Sequence, residues 1–499
     1  MSKKFVCLFI AVFFIINSII SFAEEKPSGR DNSEKSIANI DVAPMLFVAS
    51  PDGRHVAYVA QDGDQQFVVI DGKKGNHYDG IGRAIVFSPD SRRVAYIAII
   101  GKKGAVVVDG KEEKKYDNLG SNIIFSPDSR HVAYPAQSGN KQFVVIDGKE
   151  GMHCDGIGSN LTFSPDSKRF AYGAEIKNKG FVVIDGKEEK HYDVIGSILT
   201  FSPDSKRFVY DAQIKNKGFV VIDGKEEKQY DGIASNLIFS PDSDHVAYVA
   251  KSGEKLFVVV DGKEEKQYDH IGSELIFSPD SNHVVYQAQS GNKLFIVVDG
   301  KEGVHYDGIG ISSIIFSPDG KRIAYGAQSG NDRFIVVDGK EGKHYNGLGY
   351  PLVFSPDSKR VAYVAQLGEK WFVVIDGREG KLYDDIGKST LIFSPDSKHV
   401  AYGAQSGNER FVVIDGREGK HYDSIGFSLT FSPDSMHLVY AAQSGKKQFV
   451  VVDGKEEKHY DEVLAIGKEN VIFDSFDNIH YLATRDKNIY LVEFKIKGN

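Results

Sequence analysis

The sequence predicts an all-β protein, a β-propeller of about twelve four-stranded antiparallel blades, and three observations carry that prediction. First, a Ser-Pro-Asp triplet recurs eleven times, beginning at Ser50, Ser88, Ser126, Ser164, Ser202, Ser240, Ser278, Ser317, Ser355, Ser394 and Ser432. The step is 38 residues, and 39 at two places; a fixed period of this length, with its own turn signals, marks a repeat architecture. Second, each unit consists of short β-branched and aromatic stretches joined by turn residues, with no 3.6-residue period. Third, one stretch per unit, Phe-Val-Val-Ile and its variants, is apolar throughout. A sheet wetted on one side would alternate, so this strand must be buried on both faces. Sheets sandwiched between their neighbours in this way are propeller blades.

The unit Ser389–Ile425 shows the elements. Thr390-Leu-Ile-Phe393 is strand one, and Ser394-Pro-Asp-Ser397 is a turn in which Pro fixes φ and Asp can bond local amides. His399–Ala404 is strand two, Gln405-Ser-Gly-Asn408 a hairpin turn, and Phe411-Val-Val-Ile414 strand three. Asp415–Gly419 turns the chain again, and Lys420-His-Tyr-Asp423 is the outer strand. An unbroken array is compatible with one large ring or with two roughly six-bladed rings; the absence of a linker in its middle favours one ring around a wide, wet channel.

Both ends depart from the pattern. Residues 1–23 read as an export signal: Lys3 and Lys4, the apolar run Phe5–Ile16, then Ser21-Phe22-Ala23 as a cleavage site. Residues 24–36 read as a polar leader, and 37–499 as the propeller array. The last unit, 470–494, offers three strands, no Ser-Pro-Asp turn and no outer strand. The spare strand-like piece Ile37–Val42 is therefore expected to complete that blade and leave no open edge.

Composition narrows the partners. The chain carries −8, and loses two lysines and no acid with residues 1–23, reaching −10. An acidic chain without basic runs is poorly suited to nucleic acid or anionic lipid, and no membrane span is expected after signal cleavage. Cys154 is the only cysteine beyond the signal, at a position where sister units carry Tyr, and reads as a buried substitute for the ring.

Candidate chemical residues mostly dissolve into the repeat. Thirteen of the fifteen histidines occupy two positions, at the entry of strand two and on the outer strand. Equivalent positions on successive blades do not converge on one metal, so they read as rim residues. The turn aspartates read as caps rather than calcium ligands, because no Asp-x-Asp-x-Asp-Gly loop occurs. Gly-x-Ser-x-Gly, His-Glu-x-x-His and Gly-x-x-x-x-Gly-Lys are all missing, so no catalytic, metal or cofactor residues are expected. Trp371, the single tryptophan, stands where other blades have Gln, Arg, Leu or Gly. With Asn122, Asn160 and Asn236, in the approaches to inner strands, it forms the ligand-binding expectation. The face carrying the strand 2–3 hairpins and 4–1 connections varies between units, and recognition needs variation.

The segments Phe-Ser-Pro-Asp-(Ser/Gly)-x-x-Val-Ala-Tyr resemble the WD-repeat-like units of TolB-type β-propellers over roughly residues 45–485. The resemblance implies that Leu-Ile-Phe is innermost and Lys-His-Tyr-Asp outermost. TolB itself carries an α/β domain before its propeller, and only the leader precedes the repeats here. Similar propellers gate prolyl-oligopeptidase-like peptidases, whose hydrolase domain has no counterpart in this sequence. The expectation is an exported, non-enzymatic scaffold, periplasmic or secreted by a Gram-negative-type cell, binding an envelope protein, peptide or glycan. The alternative is a propeller hydrolase or lyase with a site at the channel mouth, and a third reading is a purely structural surface protein.

Overall fold

A computed structural model describes residues 32–40, 44–158, 161–234, 237–310, 314–467 and 469–496, without the side chains of Asn32 and Phe427. The proposed signal and most of the leader lie outside these residues. Twelve antiparallel sheets follow one another along the chain, and no helix is present among the described residues. Blade 1 is typical: Leu46–Ala49, Val56–Asp62, Gln65–Ile70 and Lys73–Lys74 pair in that order.

Double burial of the third strand is what joins the blades. In blade 4, Val182 packs with Tyr210 and Phe219 of blade 5, while its neighbour Val183 packs with Ala133 and Val144 of blade 3. Both valines are fully buried. Twelve such clusters link blade to blade, and the twelfth joins Leu482, Ile489 and Leu491 of the last blade to Val56, Tyr58 and Phe67 of the first. The chain is therefore one closed ring of twelve.

Turn chemistry adds a second set of links that the repeat motif conceals. Ser88 Oγ donates to Asp90 Oδ1 at 2.6 Å and accepts the Arg93 amide, while Asp90 Oδ1 accepts the Arg92 amide. The amide of Asp90 then donates at 2.9 Å to Ser129 Oγ, in the next blade's turn. Ser129 has φ 66° and is buried, and the same Asp-to-Ser link recurs around the ring, for example from Asp204 to Ser243 and from Asp357 to Ser397. The aspartates are thus caps, as their place beside Pro suggested. Blade 8 carries Gly320 at the serine position, with φ 75°.

The outer strand begins earlier than the sequence pattern suggested. Asp415 (φ 48°) and Gly416 (φ 78°) make a two-residue turn that matches strand twist. Arg417–Glu418 is already paired, and after a break Tyr422 bridges back to Arg410.

The N-terminal strand closes the ring with different bounds from those read in the sequence. It spans Asn32–Asn39 and pairs antiparallel with Asn488–Lys495. Asn32–Ser36, read as leader, belong to the strand; residues 41–43 lie outside the described set. The reason is physical: this is an outer strand, polar along its exposed stretch like the Lys-Glu strands of its sisters, and within Ser33–Asn39 only Ile37 and Ala38 are buried. It also reproduces the outer ion-pair ladder. Lys228–Glu264, Lys266–Glu302 and Lys420–Glu456 join successive outer strands at 2.5–2.7 Å, and Lys458 meets Glu34 at 2.8 Å in the same way. Burial alone would raise Glu34, but hydrogen bonds from Lys458, Tyr460 and Arg485 hold it below the ordinary carboxylate range.

Candidate functional site

The two faces of the ring are built from different chemistry. On the face of the 1–2 and 3–4 turns, strand two opens with His or Arg, which pairs with the Asp of the following Asp-Gly turn. His55–Asp71, His131–Asp147 and His399–Asp415 stand at 2.7 Å, Arg93–Asp109 and Arg322–Asp338 at 2.9 Å. Arginine does more than histidine here. The Arg93 Nη1 also reaches the carbonyl of Arg130 in the next blade at 2.7 Å, and its guanidinium lies 5.2 Å from the Phe125 ring centre. The hydrogen bond to Asp261 raises the pKa of His245. A pKa raised on folding adds stability that is fully present below the unfolded value and is lost as pH rises through the folded one. His245→Gln should therefore lower the melting temperature at pH 5.5 and leave it unchanged at pH 8.5; an equal loss at both pH values would contradict this.

Outer-strand histidines have a different job. His153, His191, His305, His344, His421 and His459 each stack on the third-strand Phe of their own blade, with ring centres 4.0–4.4 Å apart, and His77 meets Phe67 at a tilt of 42°. Among the described residues no group of three or more His, Cys, Asp or Glu side chains is placed to hold a metal ion. Cys154 is buried, and burial pushes its thiol up to about 11, away from the reactive thiolate.

On the opposite face, the Asp after the outer-strand Tyr, or after Cys154 in blade 3, ties hairpin to connection. Asp155 Oδ1 accepts from Lys141 at 2.7 Å and its Oδ2 accepts the Lys177 amide of the next blade at 2.8 Å. The second residue of strand three is a linker too: Gln66 Oε1 accepts the Ile81 amide at 2.8 Å, and Arg333 Nη1 donates to Asn346 O at 2.6 Å. Trp371 occupies this position in blade 9. It is half-buried against the cluster of Val364, Tyr383 and Ile386 that joins blades 9 and 10. A Cβ on Gly349 would come within 3.2 Å of its ring, so glycine there lets the indole lie against the inner strand. Beside it on the same blade, Tyr350 is 52% exposed and Leu367 53% exposed. Sister blades mostly carry Ser, Arg or Lys at the first position and Ser, Ile or Asp at the second.

Of the other expected ligand residues, only Asn122 is among the described residues, and it does not join Trp371. Asn122 is exposed in the approach to the inner strand of blade 3, six blades away and thus across the ring. Asn160 and Asn236 lie outside the described residues. Two features went unread in the sequence. Tyr350 and Leu367 fall at repeat positions that a column-by-column comparison of blades would have singled out. Asp211 stands where ten sisters carry uncharged residues; burial pushes its carboxyl up, and it accepts the Ile198 amide at 3.3 Å.

The fold defines a single-ring, twelve-bladed β-propeller, and blade 9 carries Tyr350, Leu367 and Trp371 on its hairpin-and-connection face. No family model matches the chain, and no curated protein matches it. Among solved structures, it is similar to a eukaryotic initiation factor (14% identity, 81% of this chain and 96% of that one, TM-score 0.35). It is also similar to TolB from Acinetobacter baumannii (14% identity, 49% and 77%, TM-score 0.24). A third is the β-propeller domain of the Trilobed protease from Pyrococcus furiosus (17% identity, 52% and 96%, TM-score 0.26). At such identities and scores these proteins carry no function over to this chain, whose architecture stands on its own sheet order.

Proposed function

We propose that this protein is an exported, TolB-type, non-enzymatic scaffold that binds an envelope protein, peptide or glycan in the periplasm or outside a Gram-negative-type cell. The observation supporting this reading is blade 9, where Tyr350 and Leu367, each about half exposed, share a blade with the half-buried Trp371, while most sister blades carry Ser, Arg or Lys at the Tyr350 position and none carries a second tryptophan. Aromatic side chains give large contact area for little lost conformational entropy, which is why they dominate binding hot spots. The face needs no titratable dyad for this role. Binding to immobilised glycan and peptide arrays should be lost about tenfold or more in Tyr350→Ala and Trp371→Ala, with melting of the Tyr350 variant unchanged. Equal binding by both variants would dismiss blade 9 as the recognition surface. Turnover of an arrayed glycan or peptide would instead support the hydrolase or lyase reading.

A further inference from the structure

The geometry points to a second binding site, on the opposite face, in the groove between blades 3 and 4, for a small amphipathic carboxylate. The cavity there holds about 390 Å³, within the range of small-molecule pockets. Similar grooves hold about 290 Å³ between blades 8 and 9 and about 380 Å³ between blades 6 and 7, the latter lined by charged side chains.

Sister interfaces show what the groove is shaped for. Between blades 2 and 3, the Glu113 carboxylate accepts a hydrogen bond from the Tyr134 hydroxyl, and between blades 6 and 7 Glu265 does the same with Tyr286 at 2.6 Å. Blade 3 carries Gly151 at the glutamate position. A Cβ there would stand 3.4 Å from the Tyr172 hydroxyl, so the side chain that is missing would head for that tyrosine. The place of the carboxylate is left to the solvent side of the groove.

Four more replacements widen and grease the same interface relative to that between blades 2 and 3. His131 replaces Arg93, so no guanidinium crosses to the next blade; it pairs with Asp147 instead. Met152 replaces Lys114, which removes the cross-blade ion pair, and Cys154 replaces Tyr116. Phe170 replaces Val132 and, with Phe163 and Ile146, gives the groove an apolar wall. Lys149, Lys168 and Arg169 stand at its rim, Arg169 paired with Asp185 at 3.0 Å and Lys168 with Asp166 at 3.4 Å. Two carboxylates also line it, and both are engaged: Asp147 by His131 and the Val132 amide, Glu150 by Lys114 at 2.7 Å. A ligand with one carboxylate and a short aromatic or aliphatic body would give its charge to Tyr172 and Lys149, and its body to the phenylalanines.

Isothermal titration of the full chain with 3-phenylpropanoate and octanoate, against their amides, tests this. The acids should bind saturably at one per chain, and the amides about tenfold or more weaker, the worth of a hydrogen bond to a charged group. Gly151→Glu, which supplies the carboxylate internally as blade 2 does, should abolish binding. Tyr172→Phe, which keeps the ring and loses the hydroxyl, should weaken it about tenfold. No saturable binding below about 10 mM, a weak interaction of under 3 kcal/mol, overturns the proposal. So does equal binding of acid and amide, or unchanged binding by the Tyr172 variant, which stands as the test should the Gly151→Glu variant fail to fold.

Discussion

Removal of residues 32–39 is expected to open the ring and cost on the order of 5 kcal/mol, seen as a large fall in melting temperature and a shift to higher mass on size exclusion. Burial of Ile37 and Ala38 accounts for about half of that. The remainder comes from the ladder to Asn488–Lys495 and from Glu34, whose carboxylate takes Lys458, Tyr460 and Arg485. Without the strand, Asn488–Lys495 becomes an unpaired edge, and such edges template association. Glu34→Gln, which keeps the strand but not its charge, should cost a fraction of this. A deletion variant that melts with the wild-type chain would mean that the ring does not depend on this closure.

The second large effect concerns the third strand. Val182→Asp and Val183→Asp should each cost roughly 4 kcal/mol or more, because each places an unpaired charge in a dry interface. The two valines point in opposite directions, Val182 to blade 5 and Val183 to blade 3. A sheet wetted on one side would tolerate one of the two substitutions almost freely. Equal losses, read as chemical-denaturation midpoints, are the signature of a blade held on both sides. Because each blade touches only its two neighbours, the damage should be confined at first to one interface, as in other nearest-neighbour arrays.

Much of this was open to reading in the chain itself. The turn role of the Ser-Pro-Asp aspartates followed from Pro beside a short polar acceptor, and Ser88, Asp90 and Arg92 make those bonds. Burial of the Cys154 thiol followed from its place among tyrosines. The inter-blade reach of Ser129 did not, since a serine in a turn gives no sign of which blade its hydroxyl faces. Nor did the start of the closing strand at Asn32, because an outer strand shows its apolar period only where it is buried. The candidate sites were legible in part. Trp371 was conspicuous as the single tryptophan, but Tyr350 and Leu367 draw their meaning from being exposed on the same blade. The groove at Gly151 could be seen only against the Glu113 carboxylate that meets the Tyr134 hydroxyl in its counterpart.

The sequence alone determined the blade: four short strands, their turns and the double burial of the third, because each of these is decided by residues within one 38-residue period. Only the tertiary structure decided that twelve blades form a single ring, that Ser33 meets Glu493 across 460 positions, and which interfaces stay open. Those outcomes depend on the rotation accumulated over twelve interfaces and on which side chains meet across each one, and neither quantity is written in any single repeat.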